Sequence, residues 1–179
     1  MSQYKVKKPA HNINCEVEVP GSKSITNRAL MLAALSDGEC NLDGVLFSDD
    51  SRAFLDCLEK LGFQLFIDEN EKRVKVVGTS GEIPNRKATI DVRSAGTAAR
   101  FLTVMLAVTG GEYTLNSSEQ MKKRPMGEII DLIRSAGVKI SCLEEEGHFP
   151  FIISSNGLDK KEVSINTDTS SQYASALLM

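Results

Sequence analysis

The feature that most restricts the fold of this chain is an internal repeat of roughly 70 residues. The segment 28–35 aligns with the segment 100–107, and matched glycines and acidic residues follow in the same order. The aligned pairs are Arg28 with Arg100, Gly38 with Gly110, Asp56 with Asp131 and Gly62 with Gly137. Repetition on this scale indicates supersecondary units that share one core, so we expect stacked copies of a single unit.

Each copy is predicted to read β-α-β-α-β-β, which places the chain in the α/β (α+β) class. A half-exposed strand is predicted from Tyr4 to Val19, because apolar and acidic residues alternate towards its end. In the second copy a helix is predicted from Ala98 to Val108, and Pro125 is predicted at the first position of the next helix. Gly62 and Gly137 are expected to end helices, and each is followed by a predicted hairpin.

A third copy begins near the end of the chain and stops. Its predicted strand is Val163 to Ile165, and its apolar helix runs from Tyr173 to Met179. Because this helix ends without a cap or a glycine, we expect the chain to be a fragment of a longer protein. The predicted divisions are a strand segment at 1–19, a first unit at 20–88, a second unit at 89–161 and the start of a truncated third unit at 162–179.

The first predicted helix carries its cations at the end where cations are unfavourable. Lys23 and Arg28 lie in its first two turns, where the helix macrodipole favours negative charge. Ser22, Ser24 or Thr26 is the expected N-cap. Free backbone N–H groups, a serine hydroxyl, a lysine and an arginine together predict a site for a phosphate or a carboxylate.

Two further polar loops, at 94–97 and 170–172, precede the corresponding helices of the other copies. If the units pack about a pseudo-threefold axis, the three helix N-termini would converge and form one region suited to polyanionic ligands. Arg124 is predicted to grip an anion at a further helix start, whereas the adjacent residues 122–123 are expected to form a solvated basic loop. Arg100 either lines this site or pairs with Asp50 or Asp91.

Composition and spacing exclude several classes of site. The formal net charge is −3, so nucleic acid is not an expected partner. The four cysteines contain no Cys-x-x-Cys pair and are predicted to be reduced, mostly buried thiols of a cytoplasmic protein, with no metal site. The spacings of a P-loop and of a dinucleotide-binding loop are absent. No apolar run in the sequence reaches the length of a membrane span, so no membrane partner is expected.

Four segments resemble the 5-enolpyruvylshikimate-3-phosphate synthase (3-phosphoshikimate 1-carboxyvinyltransferase) family. They are Pro-Gly-Ser-Lys-Ser-Ile-Thr-Asn-Arg-Ala-Leu at 20–30, Ser-Ala-Gly-Thr-Ala-Ala-Arg-Phe at 94–101, Arg-Pro-Met-Gly at 124–127 and Ser-Ser-Gln-Tyr-Ala-Ser-Ala-Leu-Leu-Met at 170–179. The resemblance implies the enolpyruvyl transferase fold, in which two globules of three β-α-β-α-β-β units enclose the substrates. This chain would then be most of the N-terminal globule, with residues 1–19 belonging to the other globule.

The resemblance also implies a function in the shikimate pathway, which leads to chorismate and the aromatic amino acids. Such an enzyme transfers the enolpyruvyl group of phosphoenolpyruvate to the 5-hydroxyl of shikimate 3-phosphate, releases phosphate and needs no cofactor or metal. The implied contacts to shikimate 3-phosphate are Lys23, Ser24, Arg28, Ser170, Ser171 and Gln172. The implied contacts to phosphoenolpyruvate are Lys23, Gly96, Arg124 and Gln172. The further candidates are Ser94, Thr97 and Arg100. Many family members have Asn in place of Ser94, so a direct contact from this shorter side chain is the weakest of these expectations.

The resemblance places the acid–base residues in the missing globule. We therefore expect no catalytic residue in this fragment and no turnover by the fragment alone, and a complementary C-terminal chain is a candidate partner. One alternative is the related UDP-N-acetylglucosamine enolpyruvyl transferase, whose catalytic cysteine has no counterpart in the loop from Asn116 to Arg124. The other alternative is a non-catalytic anion-binding module or one half of a split enzyme.

Overall fold

The fold is that of a computed structural model, which describes residue 5 and residues 7–8, 14–159, 162–165 and 171–179. The helices of these residues are α1 (Lys23–Leu35), α2 (Asp49–Lys60), α3 (Gly96–Thr109), α4 (Glu119–Lys122), α5 (Gly127–Ser135) and α6 (Ser171–Leu178). The strands are β1 (Asp37–Asp43), β2 (Gln64–Asp68), β3 (Arg73–Thr79), β4 (Lys87–Asp91), β5 (Gly111–Asn116), β6 (Lys139–Cys142) and β7 (Phe151–Ser155).

Two sheets repeat the same topology and confirm the predicted α/β class. The first sheet has the order β1-β3-β2, and the second has the order β4-β5-β7-β6. In the second sheet β4 pairs in parallel with β5, with α3 connecting them, and the remaining pairs are antiparallel. In both sheets the three antiparallel strands are arranged in the same way. The third of them along the chain lies between the first and the second. The repeat seen in the sequence is therefore a repeat of structure.

Among the described residues, no strand of the first sheet corresponds to β4. A strand was expected from Tyr4 to Val19, but residues 14–20 have no regular secondary structure, and Val17 and Val19 are 72% and 77% exposed. Tyr4 and residues 9–13 lie outside the described residues. A strand is held by the ladder of hydrogen bonds that it forms with a neighbouring strand. Residues 14–20 have no such neighbour among the described residues. Apolar and acidic side chains do alternate in this segment, but the alternation does not specify a strand with which it would pair.

Helix α3 lies at the centre and packs against α1, α2, α5 and α6. Nearly all of its residues are buried, and Phe101 and Leu102 are fully inaccessible. Burial of a large apolar side chain contributes about 1.5–3 kcal/mol, so this helix fixes the relative positions of the elements around it. The helix begins two residues before the predicted Ala98, which places Gly96 and Thr97 in its first turn.

The predicted residues Ser22, Gly62 and Gly137 lie at ends of helices in the structure. The Oγ atom of Ser22 accepts a hydrogen bond from the N–H of Ile25 at 3.4 Å and caps α1. Ser48 and Ser51 form a reciprocal capping box at the start of α2. Gly62 and Gly137 follow α2 and α5 with φ values of +90° and +99°, the left-handed conformation that favours glycine at this position.

Two elements of the second half differ from the prediction. Helix α5 begins at Gly127 rather than at Pro125, because the short helix α4, capped by Ser118, occupies part of the preceding loop. Arg124 therefore lies between two helices and not in the first turn of one. Residues 162–165, which include the predicted third-copy strand, have no regular secondary structure, and no described strand pairs with them.

Charges that were expected to be solvated form ion pairs across the second unit. Lys122 was expected in a solvated loop, but its Nζ atom lies 3.0 Å from carboxylate oxygens of Glu119 and Glu144. Glu146 in the same acidic run pairs with Arg134. These contacts tie the β6–β7 turn to α4 and α5, a connection between segments that are distant in sequence and that the local pattern did not reveal.

The four cysteines all lie within the described residues and are free thiols. The prediction that most of them are buried was wrong, since Cys57 is buried, Cys15 is exposed and the other two are intermediate. Burial raises the pKa of Cys57 to about 12. None of the helices in the described ranges combines the length and the apolar character that a membrane span needs.

Candidate anion-binding site

Side chains in the first two turns of α1, α3 and α6 contact one another. Arg28 of α1 donates from Nη2 to the Oγ atom of Ser175 in α6 at 3.2 Å. Arg100 of α3 donates from Nη1 to Oε1 of Gln172 in α6 at 3.1 Å, and Gln172 Nε2 donates to Thr97 Oγ1 at 3.5 Å. These contacts bring the N-terminal turns of the three helices together, as the repeat predicted. Each terminus contributes a partial positive charge to the same region.

Lys23 is the first residue of α1 and has a counter-charge within the protein. Its Nζ atom lies 3.1 Å from Oδ2 of Asp50, which is in the first turn of α2. The pair explains how a cation is accommodated at a helix N-terminus without a bound anion, and Asp50 is itself favourable at the start of α2. The lysine side chain remains 47% exposed. An exposed pair of this kind contributes only about 0–1 kcal/mol, so Lys23 is readily released to a ligand.

Arg28 is oriented by three neutral groups. Its Nη1 atom donates to the backbone oxygen of Ser24 at 3.1 Å, and its Nη2 atom donates to Ser175. The guanidinium carbon lies 5.2 Å from the centroid of the Phe101 ring, within the range of a cation–π contact. The side chain is thus held in place while its positive charge is not neutralised.

Gly96 begins α3 between two guanidinium groups. A Cβ atom at this position would lie 2.9 Å from Nη1 of Arg100 and 3.1 Å from Nη1 of Arg124. Arg100 also donates to the backbone oxygen of Gly96 at 3.0 Å. Of the two alternatives for Arg100, the pairing with an acid is not seen: Asp50 pairs with Lys23, and Asp91 Oδ1 accepts from the backbone N–H of Arg93. The glycine permits both arginines to approach the start of the helix.

The arginines of the chain divide into two groups by their partners. Five of the eight form ion pairs with carboxylates, and these are Arg52, Arg73, Arg86, Arg93 and Arg134. The other three are Arg28, Arg100 and Arg124, for which the described residues provide no carboxylate partner. The Nε atom of Arg100 is in addition buried without a hydrogen-bond partner. The three unpaired guanidinium groups are those that the sequence motifs predicted for the site.

The remaining predicted residues are distributed around this cluster. Ser24 and Ser171 are exposed in the first turns of α1 and α6, while Ser170 lies outside the described residues. The Oγ atom of Ser94 lies 2.7 Å from the Oγ atom of Ser118, so this hydroxyl already has a partner at the cap of α4.

Ser175 and Phe101, which hold Arg28, were missed by the sequence reasoning. The alignment of the third copy contained a signal for Ser175, because this residue occupies the position of Arg28 in the first copy.

A cavity of the described residues lies away from this cluster. It has a volume of about 710 Å³ and is lined by Gly110 and Gly111 at the far end of α3, with Lys139 and Asp159 among its other walls. It contains none of the predicted site residues. The guanidinium cluster therefore does not line this cavity; Arg28 and Arg100 are half-buried and Arg124 is exposed.

The sequence matches the family model of EPSP synthase (3-phosphoshikimate 1-carboxyvinyltransferase) over residues 7–179. The chain belongs to the EPSP synthase family. Curated relatives with the name 3-phosphoshikimate 1-carboxyvinyltransferase include proteins of Trichormus variabilis and Neisseria meningitidis serogroup B. The first is 40% identical over 173 residues, covering 96% of this chain and 41% of the relative. The second is 45% identical over 166 residues, covering 91% of this chain and 38% of the relative.

Solved structures confirm the predicted enolpyruvyl transferase fold. EPSP synthase from Acinetobacter baumannii superposes with a TM-score of 0.77 at 24% identity, covering 90% of this chain and 36% of that protein. The enolpyruvyl transferase NikO from Streptomyces tendae has a TM-score of 0.55 at 11% identity, covering 87% of this chain and 35% of that protein. The chain spans about two fifths of the length of the two curated relatives named above, 41% and 38%.

Proposed function

We propose that the chain forms one wall of a site that transfers the enolpyruvyl group of phosphoenolpyruvate to the 5-hydroxyl of shikimate 3-phosphate. The observation that carries the proposal is a cluster of three arginines, near the N-terminal turns of α1, α3 and α6, that have no carboxylate partner among the described residues. Both substrates carry a phosphate and a carboxylate, and guanidinium groups bind such anions through paired hydrogen bonds. Membership of the EPSP synthase family supports these two substrates over other anions.

The proposed contacts follow the positions of the side chains. Arg28 and Ser24 share one face of α1 and serve shikimate 3-phosphate, whereas Arg124 and the N–H of Gly96 serve phosphoenolpyruvate at the start of α3. Lys23 and Gln172 contact both ligands. The hydroxyl of Ser171, in the first turn of α6, holds the shikimate phosphate, and the family resemblance assigns Ser170, which lies outside the described residues, to the same phosphate. Thr97 and Arg100 hold Gln172 in place through the hydrogen bonds described above.

The reaction needs proton transfer as well as anion binding. The 5-hydroxyl adds to C2 of phosphoenolpyruvate while C3 is protonated, and the tetrahedral intermediate then expels phosphate. The described residues at the guanidinium cluster are cationic or neutral, except for Asp50, which is paired with Lys23. We therefore assign the acid–base groups to the part of the relatives that this chain does not span. The chain alone is expected to bind substrates without turnover, and a complementary C-terminal chain to restore turnover.

The test is a heteronuclear NMR titration of the chain with shikimate 3-phosphate, followed by phosphoenolpyruvate. Saturable shifts are expected at Lys23, Arg28 and Gln172. The matched variants are Arg28→Gln, which removes an unpaired guanidinium, and Arg52→Gln, which removes one that is paired with Glu69. Only the first should abolish the shifts. A folded parent chain that shows no saturable shift, or equal losses in the two variants, would refute the proposal.

Two further measurements separate the alternatives. Titration with UDP-N-acetylglucosamine should leave the spectrum unchanged, and saturable binding would instead favour the related enolpyruvyl transferase. Addition of a complementary C-terminal chain should produce phosphate release from both substrates, whereas an inert anion-binding module would remain inactive. Since all four cysteines are free thiols, we also propose a reducing, cytoplasmic location.

A further inference from the structure

We propose that Ser175 is a positioning residue that holds the Arg28 guanidinium ready for the substrate anion without neutralising it. The inference rests on the proposed function, because it concerns the binding of shikimate 3-phosphate at the same site. Ser175 lies in the second turn of α6 and accepts a hydrogen bond from Arg28 Nη2 at 3.2 Å. It is a contact between segments 147 positions apart in the chain.

The arrangement leaves one edge of the guanidinium available. Nη1 is bonded to the Ser24 backbone oxygen, Nη2 to Ser175, and one face of the group lies over Phe101. A guanidinium has five N–H donors, and these contacts use two of them. The remaining donors can bind a phosphate or carboxylate while the side chain keeps its orientation. Preorganisation of this kind raises affinity because less side-chain entropy is lost when the ligand binds.

The repeat shows why the residue at this position is neutral. Residue 175 aligns with Arg28 and with Arg100, so two copies carry a guanidinium where the third carries a hydroxyl. Arg28 of the first copy and Ser175 of the third copy are in direct contact. A third arginine here would place two cations side by side at a helix N-terminus, and the repulsion would displace both. A carboxylate would hold Arg28 but would cancel the charge that the substrate requires.

The experiment compares three variants of the chain at residue 175 by titration with shikimate 3-phosphate. Ser175→Ala should weaken binding about tenfold, equivalent to about 1.4 kcal/mol and close to the value of one hydrogen bond to a charged group. Ser175→Thr keeps the hydroxyl and should bind within about twofold of the parent chain. Ser135→Ala, an exposed serine at the end of α5, is the matched control and should bind as the parent does.

The third variant, Ser175→Asp, tests the requirement for neutrality. It should retain an ordered Arg28 side chain, visible as a sharp Nε–H resonance, while binding shikimate 3-phosphate more weakly than the alanine variant. In Ser175→Ala the same resonance should broaden or shift. A serine that served only to support the fold would change the thermal stability and leave this resonance in place.

The outcomes separate this inference from the proposed function. If the parent chain binds shikimate 3-phosphate and Arg28→Gln abolishes binding, but Ser175→Ala binds normally, the positioning role is refuted and the proposed function stands. Equal binding by Ser175→Asp and the parent chain would refute the requirement for neutrality. If the parent chain binds nothing, the proposed function fails, and an unchanged Arg28 resonance in Ser175→Ala would refute the positioning role independently.

Discussion

Replacement of Gly96 by alanine should separate the stability of the fold from the affinity of the anion site. Gly96 is the first residue of α3 and does not have the left-handed backbone conformation that favours glycine. The backbone therefore accepts alanine without strain. The new Cβ atom meets only the tips of two flexible side chains, at 2.9 Å from Arg100 Nη1 and 3.1 Å from Arg124 Nη1. The substitution therefore displaces the guanidinium groups and leaves the packing of the core unchanged.

The size of the effect follows from these distances. An ordinary contact begins near 3.4 Å, so Arg100 Nη1 must move by about half an ångström. Its hydrogen bonds to Gly96 O and Gln172 Oε1 are 3.0 and 3.1 Å long, and that movement takes them beyond the normal range. Loss of one such bond corresponds to about 1.5 kcal/mol, or a tenfold weaker affinity for phosphoenolpyruvate. The unfolded chain meanwhile loses entropy, which stabilises the fold by about 0.4–1 kcal/mol.

Gly127 provides the matched control because it is the first residue of α5. A Cβ atom there would meet only the Cα atom of Gly147, at 4.0 Å. Urea unfolding should show that both alanine variants are at least as stable as the parent chain. NMR titration with phosphoenolpyruvate in the presence of shikimate 3-phosphate should show weakened binding for Gly96→Ala alone. Equal affinity in the two variants would refute the reasoning, as would a loss of stability specific to Gly96→Ala.

Three further outcomes are expected. Burial raises the pKa of the Cys57 thiol to about 12, so a disulfide reagent at neutral pH should modify the exposed Cys15 rapidly and Cys57 only as fast as the chain unfolds. Rapid labelling of Cys57 would contradict this. The hydrogen bond from Arg134 lowers the pKa of Glu146 below that of an ordinary glutamate, so its stabilisation is present above the ordinary glutamate pKa and is lost as the pH falls through the lowered value. A carboxyl NMR titration should show the pKa rising again in Arg134→Gln. Ser22→Ala should lower the free energy of unfolding by about 0.5–1 kcal/mol in urea, since it removes the cap of α1, and an unchanged midpoint would show that the 3.4 Å contact is not stabilising.

The parts of the fold that the sequence predicted are those determined by neighbours close in the chain. The hairpins, the capping serine of α1 and the glycines after α2 and α5 all depend on residues within a few positions of one another. The repeat extended this local information, because agreement between two copies supported each assignment. It also predicted that three helix N-termini meet, since equivalent elements of stacked units take equivalent positions.

The errors arose where the deciding partner is distant. Pro125 was placed in the first turn of a helix because proline is common there, but the bound of α5 depends on α4 and on the backbone N–H of Met126, which donates to Gly147 O at 2.8 Å. The segment before Pro20 alternates as a strand does, yet strand formation requires a neighbour that no local pattern supplies.

The arginine side chains show most clearly why the fold is needed to identify an anion-binding site. In the sequence each arginine is the same cation, and Arg124 in its basic run resembles a solvated side chain more than Arg134 does. The fold then neutralises some arginines with carboxylates from other elements and leaves others unpaired, and only the second group can bind a substrate anion strongly. Arg28 and Arg100 have no carboxylate partner among the described residues, and the carboxylate of Asp50, on an adjacent helix, pairs with Lys23 instead. The ion pair between Lys23 and Asp50 thus preserves the positive charge of the cluster.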